Sequence, residues 1–483
     1  MKHALTSFAV IFFMCVAYAP ANAGDFDLPS ERAKLREWLA DKHADLGDEY
    51  AKVLIFTIAR KQYDRARELE PDNRKAWQGL GYKKKGDNWV LDEALPEEDG
   101  VSGREYLEAI KKPDEEKAKT WEKCADRCRK LMDKAAKAGD ARAARILAID
   151  LLYYLPDDPE ARKLRGHSLH EEAWRPDFVK AWREEGKNIH EGEGFGDELE
   201  GEDEQAKLIG ATFARRKSEW LITRTTYDVT RAKLLHRAAL ATIKRATELL
   251  AIDKPPFGGH QYTITHLQTQ PEYESMLTKV LQLEGSDLEF AKRLAGHGQS
   301  KPYGYFCWSN SDTGANDMLC NTIALRVLAH HQDGKSDRAP WIDTGWGYFV
   351  TSHVLNTTHT RRYTLEQAGA TASDHEIIPE FTKKSGSPEL LREVALYNIS
   401  FDRDVPMREL IATKINDMQQ SHAAKSFSFM EFAFANHKEA AQKWLKSGGQ
   451  QEAKDRVAAI ETAFGKSLEE LENEWREWVL LNY

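Results

Sequence analysis

Two segments, NTIAL at residues 321–325 and WIDTGW at residues 341–346, decide the fold that we predict for this chain. In the first segment Asn321 and Leu325 are four residues apart, a spacing that places two side chains on the same face of a helix. Helices that hold a catalytic metal use this spacing for imidazole ligands. Leucine cannot coordinate a metal, and the neighbouring Thr322 has no pKa suited to proton transfer. The segment therefore has the spacing of a metal-binding helix without the side chains that would bind the metal.

The length and charge of the chain limit the number of domains and the kinds of partner that we expect. Its 483 residues are too many for one hydrophobic core, so we expect two or three domains. The net charge of −9 argues against a nucleic-acid-binding surface. Beyond the N-terminus no apolar stretch is long enough to span a bilayer, so we predict no membrane span.

Residues 1–23 have the pattern of a secretory signal peptide. Lys2 and His3 precede an apolar run over residues 8–19, and the small residues at 21–23 provide a cleavage site. The run is shorter than the roughly 20 residues that a membrane anchor requires. We therefore predict an exported protein, periplasmic or secreted.

Four cysteines follow the predicted signal peptide. Cys307 and Cys320 flank a polar loop, and export permits disulfides, so these two could form a bridge. Cys124 and Cys128 are four residues apart on a predicted helix, which is a poor geometry for a bridge. We interpret that pair as semi-buried thiols, with a two-cysteine metal site as the alternative.

Residues 24–190 contain two tandem copies of one pattern, in which a helical segment ends at a proline. The shared residues are PDN at 71–73, Ala76, Gly81 and Trp89 in the first copy, and PDD at 156–158, Ala161, Gly166 and Trp174 in the second. The copies resemble tetratricopeptide-like helical pairs followed by a tryptophan-bearing turn. Such pairs commonly form surfaces for protein partners. The alternative is that they only support the second domain.

Residues 191–205 are rich in Glu, Asp and Gly, and we predict an acidic linker there. After it, residues 218–229, 262–265 and 303–306 have the composition of strands, and a helix is predicted over 231–251. Helices are predicted from there to the C-terminus. The fold class that we predict is α+β and mainly helical, with the small sheet in a second domain at 206–483.

Residues 218–483 resemble the peptidase-MA-like gluzincins, which are zinc metallopeptidases often found behind tetratricopeptide-type helices in exported bacterial proteins. LQTQPEY at 267–273 is similar to the family's lead-in step, and FGKSLEELENEW at 464–475 is similar to its closing helix. The resemblance implies an order of elements: strand, helix, strand, glycine-aromatic strand, H-E-x-x-H helix, W-x-x-E-G helix and helical tail.

The same resemblance assigns the family's zinc site to four positions. Asn321 stands for the first histidine, Thr322 for the catalytic glutamate, Leu325 for the second histidine and Thr344 for the glutamate ligand. Zinc hydrolysis needs histidine or carboxylate ligands and a carboxylate that takes the proton of the bound water. The resemblance therefore implies a degenerate site with no catalytic residue, no metal and no other cofactor.

The aromatic surroundings of these positions remain, and we predict that Trp341, Trp346 and Tyr348 border a vacated cleft. Our hypothesis is a non-catalytic binding or scaffold protein whose repeats or cleft hold a protein or peptide partner. One alternative is an active metal-dependent hydrolase with a site rearranged around His330, His353 or His359. A second alternative is a structural component of the cell envelope.

Overall fold

The computed structural model describes residues 26–170, 173–300, 302–332, 339–360, 386–447 and 453–483. The predicted signal peptide, residues 1–23, lies outside the described residues. The chain divides into two units, residues 1–164 and 165–483. Over the described ranges, no helix combines the length and the apolar character needed to cross a membrane.

The first unit is built from helices and a β-hairpin. Its elements are α1 (Leu28–Lys52), α2 (Phe56–Leu69), α3 (Arg74–Gly79), β1 (Tyr82–Lys85), β2 (Asn88–Leu91), α4 (Gly103–Ala109), α5 (Lys111–Lys137), α6 (Ala141–Tyr154) and α7 (Pro159–Leu164). Helix α1 packs against α2, and α5 packs against α6. Their contact faces carry apolar residues at three- and four-residue spacing, such as Leu147 and Leu151 on α6.

The two sequence copies have the same local structure. Helix α2 is followed by the short helix α3 and the hairpin β1–β2. Helix α6 is followed in the same way by α7 and by a hairpin of β3 (His167–His170) and β4 (Ala173–Pro176). Glycines at equivalent places, Gly81 and Gly166, make the turn into each hairpin with φ of +93° and +73°.

Hydrogen bonds repeat between the copies as well. The side chains of Asn73 and Asp158 cap the two short helices by accepting the N–H three residues later, at 3.0 and 2.8 Å. Trp77 and Arg162, at equivalent positions, each donate to the carbonyl of the proline six residues earlier, at 2.8 and 2.7 Å. The sequence copies are therefore also structural copies.

The second unit contains the second hairpin, a mixed sheet and most of the remaining helices. Its further strands are β5 (Asp197–Glu198), β6 (Ala214–Lys217), β7 (Leu221–Thr225), β8 (Tyr262–Leu267), β9 (Gly296–Ser300) and β10 (Tyr303–Trp308). They form a six-stranded sheet in the order β5-β6-β7-β8-β10-β9. Strands β7, β8 and β10 are parallel, and β9 is an antiparallel edge strand.

The helices of the second unit cover the sheet and form the rest of its core. They are α8 (Asp177–Gly192), α9 (Glu204–Ile209), α10 (Val229–Leu250), α11 (Gln270–Ser275), α12 (Gly285–Lys292), α13 (Asp312–His331), α14 (Pro340–Leu355), α15 (Pro388–Ser400), α16 (Met407–Ala412), α17 (Gln420–Asn436), α18 (Lys438–Ser447), α19 (Ala453–Phe464) and α20 (Leu468–Asn482). Helices α10 and α13 pack on one face of the sheet, which carries Ile264. The other face carries Leu267 and Phe306 in a smaller apolar cluster.

The predicted fold class, α+β and mainly helical, is confirmed. The strands predicted near 218–229, 262–265 and 303–306 correspond to β7, β8 and β10. Strands β5, β6 and β9 were missed because they consist mainly of charged residues or contain glycine, which strand patterns disfavour.

Residues 191–205, which we predicted as an acidic linker, belong to the second unit. Asp197 and Glu198 pair with β6 as strand β5. The carboxylate of Asp203 caps α9 and lies 3.1 Å from the buried Arg224 of β7. Asp203 thus has a basic partner that is distant in sequence, and a composition argument does not detect such a partner.

Candidate functional site

Helices α13 and α14 carry the four candidate positions and pack against each other. Asn321 on α13 faces Gly347 on α14, where a β-carbon on the glycine would lie 2.6 Å from Asn321 Nδ2. Trp346 Nε1 donates a hydrogen bond to the Ala324 carbonyl at 2.9 Å. Thr344 lies about one helical turn before Gly347 on α14. Asn321 and Thr344 are therefore carried by two helices that pack against each other.

All four candidate positions are buried. Asn321 and Thr344 are 0% exposed, Leu325 is 5% exposed and Thr322 is 7% exposed. The Thr344 hydroxyl has no hydrogen-bond partner among the described residues. Gly345 beside it lies against the Ser426 carbonyl of α17, which would be 2.5 Å from a β-carbon. Asn321 and Thr344 are therefore packed inside the protein, and neither supplies the imidazole or carboxylate ligand, or the general base, that a hydrolytic zinc site requires.

Asp317 is a buried acidic residue of α13, one turn before Asn321, and our sequence reasoning missed it. Its carboxylate accepts hydrogen bonds from the N–H of His359 at 3.0 Å and the N–H of Thr360 at 2.7 Å, and also from the Thr360 hydroxyl. It ties the chain that follows α14 to α13. The available signal was an acidic residue directly before the apolar residues 318–320, since a carboxylate that is buried with them needs partners.

The three aromatic residues predicted to border a cleft are core residues. Trp341 and Trp346 are 0% exposed and Tyr348 is 2% exposed. Trp341 stacks on Trp444 of α18, with ring centroids 5.3 Å apart. The expectation of a cleft wall is therefore corrected: large apolar rings are buried most favourably when other helices cover them completely.

The bridge considered between Cys307 and Cys320 is not formed, and both residues are free buried thiols. Cys307 lies in β10 opposite His266 of β8, whereas the Cys320 thiol on α13 points to the Ala238 carbonyl of α10 at 3.7 Å. Burial raises the pKa of each thiol to about 12. Cys124 and Cys128 are also free and buried. No bridge forms because Cys307 and Cys320 belong to two separately packed elements, β10 and α13. The residues between them are therefore not a loop that a bridge would close.

The histidines considered for a relocated metal site lie in different surroundings. His330 Nε2 is 2.8 Å from the Tyr303 hydroxyl, and burial together with Arg326 lowers the pKa of His330. His353 is buried beside Arg245, whose Nε donates to His353 Nδ1 at 3.0 Å. In the part of the chain that the structure describes, no group of three or more His, Cys, Asp or Glu residues could hold a metal ion.

Two cavities lie away from the candidate positions. One of about 410 Å³ is lined by His170, Arg183, Glu184, Lys187, Asn188 and Glu191. Another, of about 110 Å³, includes Trp182, Arg245 and Phe434 in its wall. None of the four candidate positions contributes to either wall.

Comparison of the chain with protein-family models and with curated protein sequences gives no match.

Proposed function

We propose that this chain is an exported, non-catalytic binding protein whose second unit keeps the frame of a zinc peptidase after losing its chemistry. The order of elements supports the frame. Within residues 218–483, strand β7, helix α10 and strand β8 come first, and the glycine-aromatic strand β10, helices α13 and α14 and a helical tail follow after α11, α12 and β9. Apart from these three intervening elements, this is the order that the resemblance to gluzincins implies.

The packing of Asn321 against Gly347 carries the proposal. In a zinc peptidase the corresponding side chain would be an imidazole that shares a metal with a carboxylate of the next helix. Here an amide fills the space against Gly347 of α14, and the position that corresponds to the glutamate ligand holds a buried threonine. Neither group changes charge near neutral pH, so neither can activate water.

A binding role agrees with the first unit. Helical pairs present extended surfaces to protein partners. The hairpin β1–β2 adds exposed apolar side chains, with Val90 39% exposed and Leu91 53% exposed. We therefore propose that a protein or peptide partner is held by this surface.

The non-catalytic part of the proposal is tested by metal analysis and peptide turnover of the purified full chain. After dialysis against metal-free buffer and addition of equimolar zinc, we expect well under one zinc per chain by mass spectrometry. A pool of peptides should remain uncleaved. Parallel His330→Gln and His353→Gln variants serve as controls. The proposal would be overturned if the parent chain bound one zinc and cleaved the peptides, and if either variant lost both the zinc and the cleavage.

A further inference from the structure

The two hairpins of the chain are copies with different surroundings. In the second hairpin, Ser168 pairs with Arg175 and lies two residues before His170 on the same strand, so these three residues share one face. Helices cover this face: Arg175 Nε lies 3.7 Å from Glu389 of α15, and His170 Nε2 lies 3.8 Å from Glu184 of α8. Arg175 is only 6% exposed.

The carboxylate that meets this second hairpin is itself held by two arginines. Burial alone would raise the pKa of Glu389, but Arg392 and Arg175 outweigh burial and lower the pKa. An acidic residue on a helix is therefore the group that the covered hairpin face recognises.

The first hairpin presents the equivalent face to solvent. Lys83 pairs with Val90, and Lys85 pairs with Asn88, so these four residues share its outer face. The opposite face is already occupied, because Tyr82 and Trp89 pack on Trp77 of α3 with ring centroids 4.8 and 5.6 Å away.

The exposed outer face carries basic groups. Lys83 pairs with the exposed Asp92 at 2.6 Å, whereas Lys85 forms no ion pair with any residue that the structure describes. Lys85 is the counterpart of His170, and Val90 is the counterpart of Arg175. The outer face therefore combines ammonium groups with an apolar contact.

We propose that the outer face of the first hairpin, defined as Lys83, Lys85, Asn88 and Val90, is the docking site for an acidic helix of a partner protein. In this complex a helix of the partner would contact the first hairpin in the way that α8 and α15 of the same chain contact the second hairpin. A glutamate of the partner would bind Lys85 as Glu184 meets His170, and an apolar residue would cover Val90. This inference deepens the proposed binding role and assigns it a surface.

The chain next to the hairpin favours a protein helix over an anionic polymer or membrane. The loop that follows β2 contains Asp92, Glu93, Glu97, Glu98 and Asp99. These carboxylates would repel an extended phosphate surface laid across the hairpin. A single helix with one row of glutamates can meet Lys85, which pairs with Asn88 beside the turn of the hairpin, at the end opposite to that loop.

The test uses the full chain and two synthetic helical peptides of about 18 residues, a length that favours a stable helix. One peptide has a glutamate at every fourth position with a leucine beside it, and its counterpart has glutamine in place of glutamate. We expect the glutamate peptide to bind at least about tenfold more tightly than the glutamine peptide, as measured by fluorescence anisotropy. Bound peptide should slow hydrogen exchange over residues 82–91.

A double variant, Lys83→Glu with Lys85→Glu, should weaken binding of the glutamate peptide by at least about tenfold. The matched control is Lys111→Glu with Lys119→Glu, which changes the net charge equally at exposed helix positions and should leave binding unchanged. Equal binding by both double variants would overturn the proposal. So would hairpin-dependent binding to phosphatidylglycerol vesicles without peptide binding. Zinc content and peptide turnover do not depend on the hairpin, so this result and the test of the proposed function fail separately.

Discussion

The Asn321 side chain of α13 occupies the space where a β-carbon of residue 347 on α14 would stand. Nδ2 would lie 2.6 Å from that carbon, and Cγ and Oδ1 would lie 2.9 Å from it. The two helices therefore approach each other at this point because residue 347 is glycine. The contact fixes the distance between the two helices that carry the candidate site.

Replacing Gly347 with alanine should destabilise the second unit. Because Asn321 is fully buried, its side chain cannot move aside without disturbing the core, and overpacking of this kind lowers the free energy of unfolding by about 1–3 kcal/mol. Urea denaturation followed by circular dichroism measures the change. Gly192→Ala is the control, since no atom lies within 4 Å of its β-carbon position, and a change within about 0.5 kcal/mol is expected. Equal stability of the two variants would contradict the close contact.

A buried ion pair joins α15 to α17 and to the last residue of the chain. Arg392 donates two hydrogen bonds to Glu431 at 2.6 and 3.0 Å, and the Tyr483 hydroxyl donates to the same carboxylate at 2.5 Å. Arg392→Met leaves a buried carboxylate without its cation, and we expect a loss of about 3–5 kcal/mol in the free energy of unfolding. Thermal and urea unfolding measure this loss.

The double variant Arg392→Met with Glu431→Met should be more stable than the single Arg392→Met variant, because it leaves no unpaired buried charge. A double variant less stable than the single variant would show that packing, and not the unpaired charge, causes the loss.

The local sequence was sufficient for the parts of the fold that are built from near neighbours. The repeated pattern around Pro71 and Pro156 corresponds to two copies of the same helices, caps and hairpin, because each feature depends on residues within a few positions of one another. The helix predicted at 231–251 is α10, and its apolar spacing faces the sheet.

The surroundings of the candidate site could not be predicted in the same way. Whether Trp341 borders a cleft or lies in a core depends on α18, whose Trp444 stacks on it from a distant part of the sequence. Composition alone predicts that Asp203 belongs to a solvated acidic segment, whereas in the folded chain it forms an ion pair with Arg224. Both outcomes depend on long-range packing, which one-dimensional patterns do not encode.

The free energy of unfolding should fall as the pH is lowered below the ordinary histidine pKa. His266 is fully buried, and neither ring nitrogen has a hydrogen-bond partner among the described residues. Burial, with a smaller contribution from Arg231, lowers the pKa of His266 to about 3. The unfolded chain takes up a proton near pH 6.5, whereas the folded chain does not, so stability is present above that pH and decreases below it.

A histidine that is buried in its neutral form reduces the free energy of unfolding by about 1.4 kcal/mol per pH unit below pH 6.5. We expect His266→Leu to remove about 2 kcal/mol of the difference between pH 6.5 and pH 5, measured by urea unfolding at both pH values. The control His260→Gln changes an exposed ring and should keep the parent dependence. An unchanged pH dependence in His266→Leu would show that His266 is not buried as a neutral group.

The four described cysteines should react with alkylating reagents only after unfolding. Cys124, Cys128, Cys307 and Cys320 are buried as free thiols, and burial raises the pKa of Cys307 and Cys320 to about 12. The thiolate is the reactive form, so both burial and the raised pKa protect the folded protein.

Iodoacetamide labelling, read by peptide mass spectrometry, should give little modification without denaturant. In guanidinium without reductant, all four cysteines should be modified. If Cys307 and Cys320 became labelled only after reduction, they would be bridged, and the packing of β10 and α13 described above would be wrong.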